Sequence, residues 1–358
     1  MDIGELSVRD LAAGAPHTPL LADDAMVEFP LLFVDLDEDQ KLAEAELQRA
    51  IDRARDCDRI LIGVTRNGVS EALMPLVEAL DLTLVQDTHD VPRCCMAVSD
   101  LARTAATLQR HAEAAPQSSL LLARLLRIGE SLSVSQALEL ESLTYSTLLA
   151  EPGFAEWLAR RDERYRVPLL PASDSVIYRR DGGALRLTLN RPERRNAFSR
   201  DVRDALVAGL RIAQLDETIT EVFLDGRGPS FCSGGDLAEF GTARVPSTAH
   251  LVRMLAGAAR PLHELSARVT ALLHGHCVGA GIELAAFAGT VIADPETRFR
   301  LPELEMGLIP GAGGTVSIPR RIGRWRTLYM VIMGTPIPAD LALRWGLIDR
   351  IEPVGPAT

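Results

Sequence analysis

Two glycine-rich segments in the second half of the chain have the residue types that could hold a negatively charged ligand. The first, 231–240, ends a strand-like run in two glycines, and the second, 275–289, begins an apolar helix pattern after Gly279. Glycines let backbone N–H groups approach a ligand closely, and the free N–H groups of a helix start attract negative charge. One N–H group from each segment would form an oxyanion hole.

Carboxylates with apolar neighbours accompany these glycines. Glu283 lies in the second segment, and Glu303 and Glu305 lie in a proline- and glycine-rich stretch at 301–315. Burial raises the pKa of a carboxyl group and suits it to proton transfer near neutral pH. Taken alone, each of these glutamates would more commonly have a solvated or capping role.

Alternating strand and helix patterns must position these segments, and they predict an α/β fold. The pattern of a strand, a helix and a second strand occurs in both halves, which predicts an internal duplication. Ser199 is the candidate N-cap of the second helix. A polar tail to about Glu28 precedes the first copy. The predicted elements are 30–36, 38–56 and 59–65, then 184–190, 199–214 and 221–226.

The two halves are predicted to be separate domains, 1–170 and 171–358. The segment 98–161 has an almost purely helical pattern and no residue to which a chemical role is assigned. A linker with two prolines follows at 167–175.

Charge excludes some functions. The 358 residues have a net charge of −11, which argues against a general nucleic-acid or anionic membrane surface. The first half has a net charge of −13 and the second of +2, so an anionic ligand meets less repulsion in the second half. Lys41 is the only lysine, so arginines or backbone N–H groups must hold any anion.

The remaining composition predicts a cytoplasmic protein without a metal site. No apolar run is long enough to span a membrane, and the start, MDIGELSVRD, lacks the pattern of a signal peptide. The five cysteines show no CxxC spacing, so neither a disulfide framework nor a zinc site is predicted.

Four motifs, in this order, resemble the enoyl-CoA hydratase/isomerase (crotonase) superfamily. The resemblance extends from about Ser175 to Glu352. The motifs are NRPERRNA at 190–197, FCSGGDL at 231–237, HGHCVGAGIEL at 274–284 and LPELEMGLIPGAGGT at 301–315.

The resemblance implies a spiral core of repeated ββα units that binds an acyl-CoA thioester, with no other cofactor. The N–H groups of Gly235 and Ala280 match the positions that polarise the thioester carbonyl. Glu283 and Glu303 match the pair that holds the water molecule added across the 2,3-double bond. We assign water activation to Glu283 and proton transfer at C2 to Glu303.

The same resemblance implies where the coenzyme A part of the substrate binds. Arg194 or Arg195 is the candidate phosphate contact, although either could equally be an exposed surface residue. The positions matched to coenzyme A binding are Glu193, Arg194, Arg195, Ser233, Asp236, Leu237 and Ala238.

Some positions depart from the family pattern. Ala280 stands where many members have glycine, and His274 and His276 flank Gly275, where they could form an additional acid/base pair. Cys232 and Cys277 lie beside the oxyanion segments, but the sequence shows no base that would activate a thiol.

The order of elements also departs from the family. Family members continue after the equivalent of GLIDRIEP with helices that complete the pocket, whereas this chain ends at Thr358. The segment 132–161 resembles those helices, placed before the core, and 30–166 resembles a degenerate crotonase unit. We expect the helices of the first half to pack on the core, within the chain or across a subunit boundary.

Three functions are compatible with these features. Hydration of a 2-enoyl-CoA is favoured because both glutamates occupy their motif positions. Another crotonase reaction (isomerisation, thioester hydrolysis or C–C cleavage) and a catalytically weak coenzyme A-binding partner subunit are the alternatives. The resemblance implies a homo-oligomer, a trimer or a hexamer.

Overall fold

The computed structural model describes residues 5–24, 26–37, 42–86, 91–161 and 174–357. Lys41 and residues 167–173 of the predicted linker lie outside these ranges. The chain forms two compact units, and the division differs from the predicted boundary near residue 170. The first unit comprises Met1–Glu130 and Ile322–Met333, and the second comprises Ser131–Arg321 and Gly334–Thr358.

The first unit is built on a parallel five-stranded sheet, in which the strands follow one another in chain order. The strands are β1 (Glu5–Ser7), β2 (Leu31–Asp35), β3 (Ile60–Thr65), β4 (Leu82–Gln86) and β5 (Cys95–Val98). The helices are α1 (Val8–Ala13), α2 (Glu44–Arg55), α3 (Met74–Ala79), α4 (Leu101–Ala114) and α5 (Pro116–Gly129).

The local sequence explains most of these elements. All six residues of β3 are buried, as expected for an apolar strand inside a parallel sheet. Both predicted strands and the helix between them are confirmed, although residues 38–41 of that helix lie outside the described residues. The prediction of a polar tail up to about Glu28 is wrong, because β1 and α1 lie in this segment. Ser7 and Asp10 form a capping box that starts α1.

A buried ion cluster lies in the first unit. The Asp81 side chain is 2% exposed and accepts hydrogen bonds from Leu61 N (2.9 Å) and Arg127 Nε (2.7 Å). Arg324 Nη1 lies 3.5 Å from Asp81 Oδ1 and is itself buried. Removal of the carboxylate would leave two buried guanidinium groups without this partner, which is costly in a low-dielectric interior.

We predict that Asp81→Ala lowers the free energy of unfolding by about 3–5 kcal/mol, as is typical when one partner of a buried ion pair is lost. The matched control is Asp58→Ala, because Asp58 pairs with Arg124 on the surface. That variant should lose at most about 1 kcal/mol. Urea denaturation followed by circular dichroism measures both, and equal losses would contradict the prediction.

The second unit contains two sheets. Its six-stranded sheet has the order β14-β11-β9-β8-β7-β6 and is parallel except for the β6–β7 pair; its three-stranded sheet has the order β10-β12-β13. The strands are β6 (Val176–Asp181), β7 (Ala184–Leu189), β8 (Glu221–Gly226), β9 (Val269–Leu273), β10 (His276–Val278), β11 (Thr290–Ala293), β12 (Arg298–Arg300), β13 (Ile337–Pro338) and β14 (Arg350–Ile351).

The second unit also contains helices. They are α6 (Val134–Leu148), α7 (Pro152–Arg160), α8 (Arg200–Leu215), α9 (Pro246–Ala256), α10 (Ala259–Glu264), α11 (Ala280–Ala285), the first part of α12 (Gly314–Met333) and α13 (Ala339–Trp345). Helix α12 is interrupted at Gly323, where φ is 84° and ψ is 158°, so it consists of two helical pieces joined at a kink, and its residues Ile322–Met333 belong to the first unit. No helix in the described ranges is long and apolar enough to cross a membrane.

The predicted elements of the second half are confirmed. Strand β7, helix α8 and strand β8 occupy the predicted places, and the Ser199 side chain accepts a hydrogen bond from Val202 N as the N-cap of α8. Because β7, β8 and β9 are parallel, their carboxyl ends lie at one edge of the sheet. The loops that follow these strands therefore start from the same edge.

Helices α6 and α7 pack on the core of the second unit. For these two helices, the expectation that helices of the first half pack on the core within the chain is therefore confirmed. Arg253 Nε of α9 donates to Ser142 Oγ of α6 (3.2 Å). After α7, Arg161 Nη1 donates to Phe240 O (3.0 Å) and also to Leu237 O. The helices that the sequence places before the core thus contribute to the unit that carries the four motifs.

Candidate active site

A cavity of about 570 Å³ in the second unit brings the predicted catalytic residues together. This volume is in the range of sites for small organic ligands. The four predicted catalytic residues, Gly235, Ala280, Glu283 and Glu303, all line it. Its apolar lining includes Leu138, Trp157, Leu237, Phe240, Met254, Leu284 and Met306.

The first glycine loop is held by Asn196, which has a φ of 53° and is fully buried. Its Oδ1 accepts from Arg191 N (2.7 Å), and its Nδ2 donates to Ser230 O (2.9 Å). Beside it, Phe198 N donates to Gly234 O (2.7 Å). Together with the bond from Asp236 N to Phe198 O (3.2 Å), these bonds fix the backbone on both sides of Gly235.

The second glycine loop lies against the first. Val278 N donates to Cys232 O (3.0 Å), and α11 then begins at Ala280. The N–H groups of Gly235 and Ala280 donate to no other residue in the described part of the chain. An N–H group at the first position of a helix has no intrahelical acceptor, which explains its availability at Ala280. Both groups are therefore free to bind a carbonyl oxygen in the cavity.

Glu283 lies on α11 and is 2% exposed. Its Oε2 accepts from Ala312 N (2.7 Å) and Gly314 N (2.9 Å) at the start of α12. Burial, followed by the charges of Glu303 and Glu141, raises the pKa of Glu283 well above its ordinary value. The two N–H groups oppose this rise because they stabilise the ionised carboxylate.

Glu303 is the second buried carboxyl group, in the short 3₁₀ turn Glu303–Met306. Its Oε2 has no hydrogen-bond partner among the described residues. Burial is the main cause that raises the pKa of Glu303 to about 8. A protonated carboxyl group is therefore favoured at neutral pH, and it can donate a proton into the cavity.

Gly279 lies beside both carboxyl groups. A Cβ atom at this position would lie 2.7 Å from Glu303 Oε1 and 3.7 Å from Glu283 Oε1, and the φ of 48° also favours glycine. Both carboxyl groups thus face the same small space, next to the N–H group of Ala280. Glu283 Oε2 accepts from two N–H groups, whereas Glu303 Oε2 accepts from none among the described residues, and such a difference can separate a base from an acid.

A third carboxyl group, Glu141, lines the cavity from α6 and corrects the expectation that 98–161 has no chemical role. It is 2% exposed, and it accepts from Gly313 N (2.8 Å) and Thr315 N (3.0 Å). Tyr145 lines the cavity from the same helix, and the guanidinium carbon of Arg253 lies 4.5 Å from its ring centroid. The available signal was the helical spacing, which places polar side chains on the buried face of α6 at 141, 142, 145 and 146.

Among the described residues, none of the arginine-rich motif at 190–197 lines the cavity. Arg194 Nη2 bonds to Asp236 Oδ1 (3.1 Å), whereas Arg195 is exposed and no hydrogen bond of its side chain occurs within the described chain. Glu193 is exposed and accepts from Arg191 Nε (2.8 Å), which lowers the pKa of Glu193.

Only some of the coenzyme A positions in and after the first glycine loop line the cavity. Ser233 and Leu237 line the cavity. Asp236 and Ala238 are buried outside the cavity lining, where Asp236 Oδ1 accepts from Ala238 N (2.9 Å). Of the positions matched to coenzyme A, Ser233 and Leu237 therefore lie at the cavity itself.

The histidines and cysteines beside the glycine loops do not line the cavity. His274 Nε2 lies 2.9 Å from Gly228 O, and His276 is exposed. Burial raises the pKa of the Cys232 thiol to about 12 and that of Cys277 well above its ordinary value, which keeps both thiols protonated. Within the described ranges, no three His, Cys, Asp or Glu side chains form a group that could hold a metal ion.

Comparison with known proteins identifies relatives of the second half of the chain. The family profile of enoyl-CoA hydratase/isomerase matches residues 179–356. The chain is 34% identical over 178 residues to 2,3-dehydroadipyl-CoA hydratase of Escherichia coli K12, which covers 50% of this chain and 69% of the relative. It is 35% identical over 173 residues to 1,2-epoxyphenylacetyl-CoA isomerase of the same organism, covering 47% of this chain and 66% of the relative.

A solved structure is similar over the same region. The enoyl-CoA hydratase of Thermoplasma volcanium GSS1 is 30% identical, with a TM-score of 0.47, and the match covers 50% of this chain and 72% of that one. With its ordered motifs, its α/β core and its sequence relatives, this chain belongs to the enoyl-CoA hydratase/isomerase (crotonase) family, whose members process acyl-CoA thioesters.

Proposed function

We propose that the protein hydrates a 2-enoyl-CoA to a 3-hydroxyacyl-CoA. The observation that carries the proposal is the position of two buried glutamates, Glu283 and Glu303, which both lie next to Gly279. Two unused backbone N–H groups line the same cavity. A relative that is named as a hydratase supports this reaction.

In the proposed reaction, the two N–H groups share one role and each carboxyl group has its own. The N–H groups of Gly235 and Ala280 hold the thioester oxygen. Glu283, in its deprotonated form, takes a proton from water as the oxygen of that water bonds to C3. The electrons of the double bond move toward the thioester oxygen, where the two N–H groups stabilise the developing charge. The carboxylic acid of Glu303 then donates a proton to C2, which completes the addition of water.

The assignment of base and acid follows from the hydrogen bonds. Glu283 accepts from two backbone N–H groups, which stabilise a carboxylate, whereas the Oε2 atom of Glu303 has no described donor. The groups are coupled, so the pH profile reports the pair rather than either glutamate alone.

The first experiment follows the absorbance of the enoyl thioester when the purified chain is mixed with a panel of 2-enoyl-CoAs. Loss of the band in the wild type, and its persistence with Glu283→Gln and Glu303→Gln, is the expected result. Binding of the CoA esters without any change in the band would overturn the proposal and direct attention to a missing partner subunit.

Double-bond isomerisation is a second candidate function, because Glu303 alone could move a proton between two carbons and one relative is named as an isomerase. Glu283→Gln separates the two reactions. It should strongly reduce hydration, but it should spare an isomerisation that needs one carboxyl group.

Arg195 is proposed as a contact of the coenzyme A phosphates. Its side chain is exposed, whereas that of Arg194 is bonded to Asp236. We predict that Arg195→Gln raises KM about tenfold with little change in kcat, since uniform binding is lost. Arg211→Gln, on the exposed face of α8, is the charge-matched control. An unchanged KM would contradict this role.

Three further properties are proposed, two from the family resemblance and the third, a cytoplasmic location, from the sequence composition. The protein forms a homo-oligomer, a trimer or a hexamer, which light scattering after gel filtration would measure. It is cytoplasmic. It needs no cofactor besides the coenzyme A that its substrate carries.

A further inference from the structure

Two carboxyl groups from distant parts of the chain share the backbone at the start of α12. Glu283 Oε2 accepts from Ala312 N and Gly314 N, at 2.7 and 2.9 Å. Glu141 Oε1 accepts from Gly313 N at 2.8 Å, and its Oε2 accepts from Thr315 N at 3.0 Å. Four consecutive N–H groups, 312–315, therefore alternate between the two carboxyl groups.

This alternation makes the position of Glu283 depend on Glu141. Because Glu141 holds the N–H groups of Gly313 and Thr315, it fixes the orientation of the peptides between them. Of the two N–H groups that bind Glu283, that of Gly314 lies between these two positions and that of Ala312 directly precedes them. The Thr315 hydroxyl adds a bond of 2.7 Å to Glu141 Oε2.

The charged and titratable groups around Glu141 come from several elements. Glu283 lies on α11, Glu303 lies in the 3₁₀ turn, and Tyr145 lies on the same helix as Glu141. On α9, Arg253 lies over the Tyr145 ring and donates to Ser142 and Ser146. On α10, Arg260 Nη2 lies 3.5 Å from Ser135 Oγ. The two arginines therefore contact hydroxyl groups or an aromatic ring, whereas Glu141 accepts hydrogen bonds from two backbone N–H groups and one hydroxyl group.

We propose that Glu141 is a positioning residue of the active site: it orients the 312–315 backbone for Glu283, and its charge controls the proton affinity of Glu283. The part of this inference that concerns turnover rests on the proposed function. Glu141 itself is not assigned a contact with the substrate.

The electrostatic part of the proposal has a direction. Burial raises the pKa of Glu141 to about 7, and the charge of Glu141 is among the causes that raise the pKa of Glu283. Near and above pH 7, an ionised Glu141 therefore makes deprotonation of Glu283 harder. Loss of that charge should allow Glu283 to ionise at lower pH.

The test is the pH profile of kcat/KM for hydration by the full chain. In Glu141→Gln, the acidic limb should move to lower pH by about one unit, a shift typical of removing a nearby like charge. The matched control is Glu139→Gln, which removes the same charge from an exposed position on α6 and should leave the limb in place. An unmoved limb in folded Glu141→Gln would overturn the proposal, whatever the change in kcat.

A second variant keeps the test valid if Glu141→Gln does not fold. Thr315→Val keeps the carboxyl group of Glu141 and removes only the hydroxyl that stabilises its ionised form. Glu141 then ionises at higher pH and repels the charge of Glu283 less at a given pH. The acidic limb should move in the same direction by a smaller amount, and a limb that does not move would overturn the proposal.

A measurement without substrate separates this proposal from the proposed function. The infrared band of protonated carboxylic acids can be titrated in the wild type, Glu141→Gln and Glu139→Gln. We expect Glu141→Gln to lose one buried acid near neutral pH and to lower the midpoint of the remaining acids. If this occurs in a chain that turns over no enoyl-CoA, only the proposed function fails; unchanged midpoints would reject the coupling itself.

Discussion

Glu303→Gln is expected to reduce the rate of enoyl-CoA hydration by about 10²–10⁴-fold, the usual contribution of a positioned general acid or base. Glutamine fills the same space, but its amide cannot deliver the proton that C2 needs. The control is Glu296→Gln, because Glu296 is exposed and lies outside the cavity lining. A Glu303→Gln variant with nearly full hydration activity would exclude Glu303 as the proton donor.

The stability of the same variant provides a readout that does not depend on activity. The pKa of Glu303 is raised from 4.5 to about 8 on folding, so its contribution to stability is fully present below about pH 4.5 and is lost as the pH rises through 8. Relative to the wild type, Glu303→Gln should therefore gain stability between pH 5 and pH 8. Urea denaturation at the two pH values measures this change, and an equal difference at both would contradict the raised pKa.

Ala280→Pro is expected to lower kcat/KM by about 10²–10³-fold, because it deletes one donor of the oxyanion hole. Ala280 is the first residue of α11, where proline is tolerated since no intrahelical bond is lost. The N–H group is therefore removed with little disturbance of the helix itself. The preceding residue, Gly279, has no Cβ to clash with the proline ring.

The control for this change is Ala280→Gly, which keeps the N–H group and removes only the methyl group. It should retain activity within a few-fold of the wild type. Measurement of kcat/KM for both variants with one enoyl-CoA separates the effect of the N–H group from that of the methyl group. Equal losses in the two variants would show that the methyl group, and not the N–H group, is what the reaction needs.

Much of the fold and the central pair of glutamates could be predicted from the sequence. Alternating apolar patterns identified strands β2, β3, β7 and β8, because strand and helix periodicity depend on residues close together in the chain. The two glycine-rich loops could be recognised in the same way, whereas the donors at Gly235 and Ala280 were implied by the family resemblance. The prediction that the first unit is a degenerate crotonase copy stays a prediction.

Contacts between distant residues could not be predicted in this way. The sequence shows Arg194 and Arg195 as equivalent neighbours, but only tertiary structure pairs Arg194 with Asp236, 42 residues away. His274 and His276 flank Gly275 symmetrically in the sequence, yet neither lines the cavity. A side chain's partner depends on which loops meet in space, and local periodicity contains no such information.

Glu141 shows this limit most clearly. Its helix was predicted correctly, because helical spacing is local, but its bonds to Gly313 and Thr315 span 172 and 174 residues. The sequence by itself determined the secondary structure, the glycine loops and the pair Glu283 and Glu303. Only the tertiary structure decided that a third carboxyl group shares their site, because a buried carboxylate must find donors wherever the packed chain presents free N–H groups.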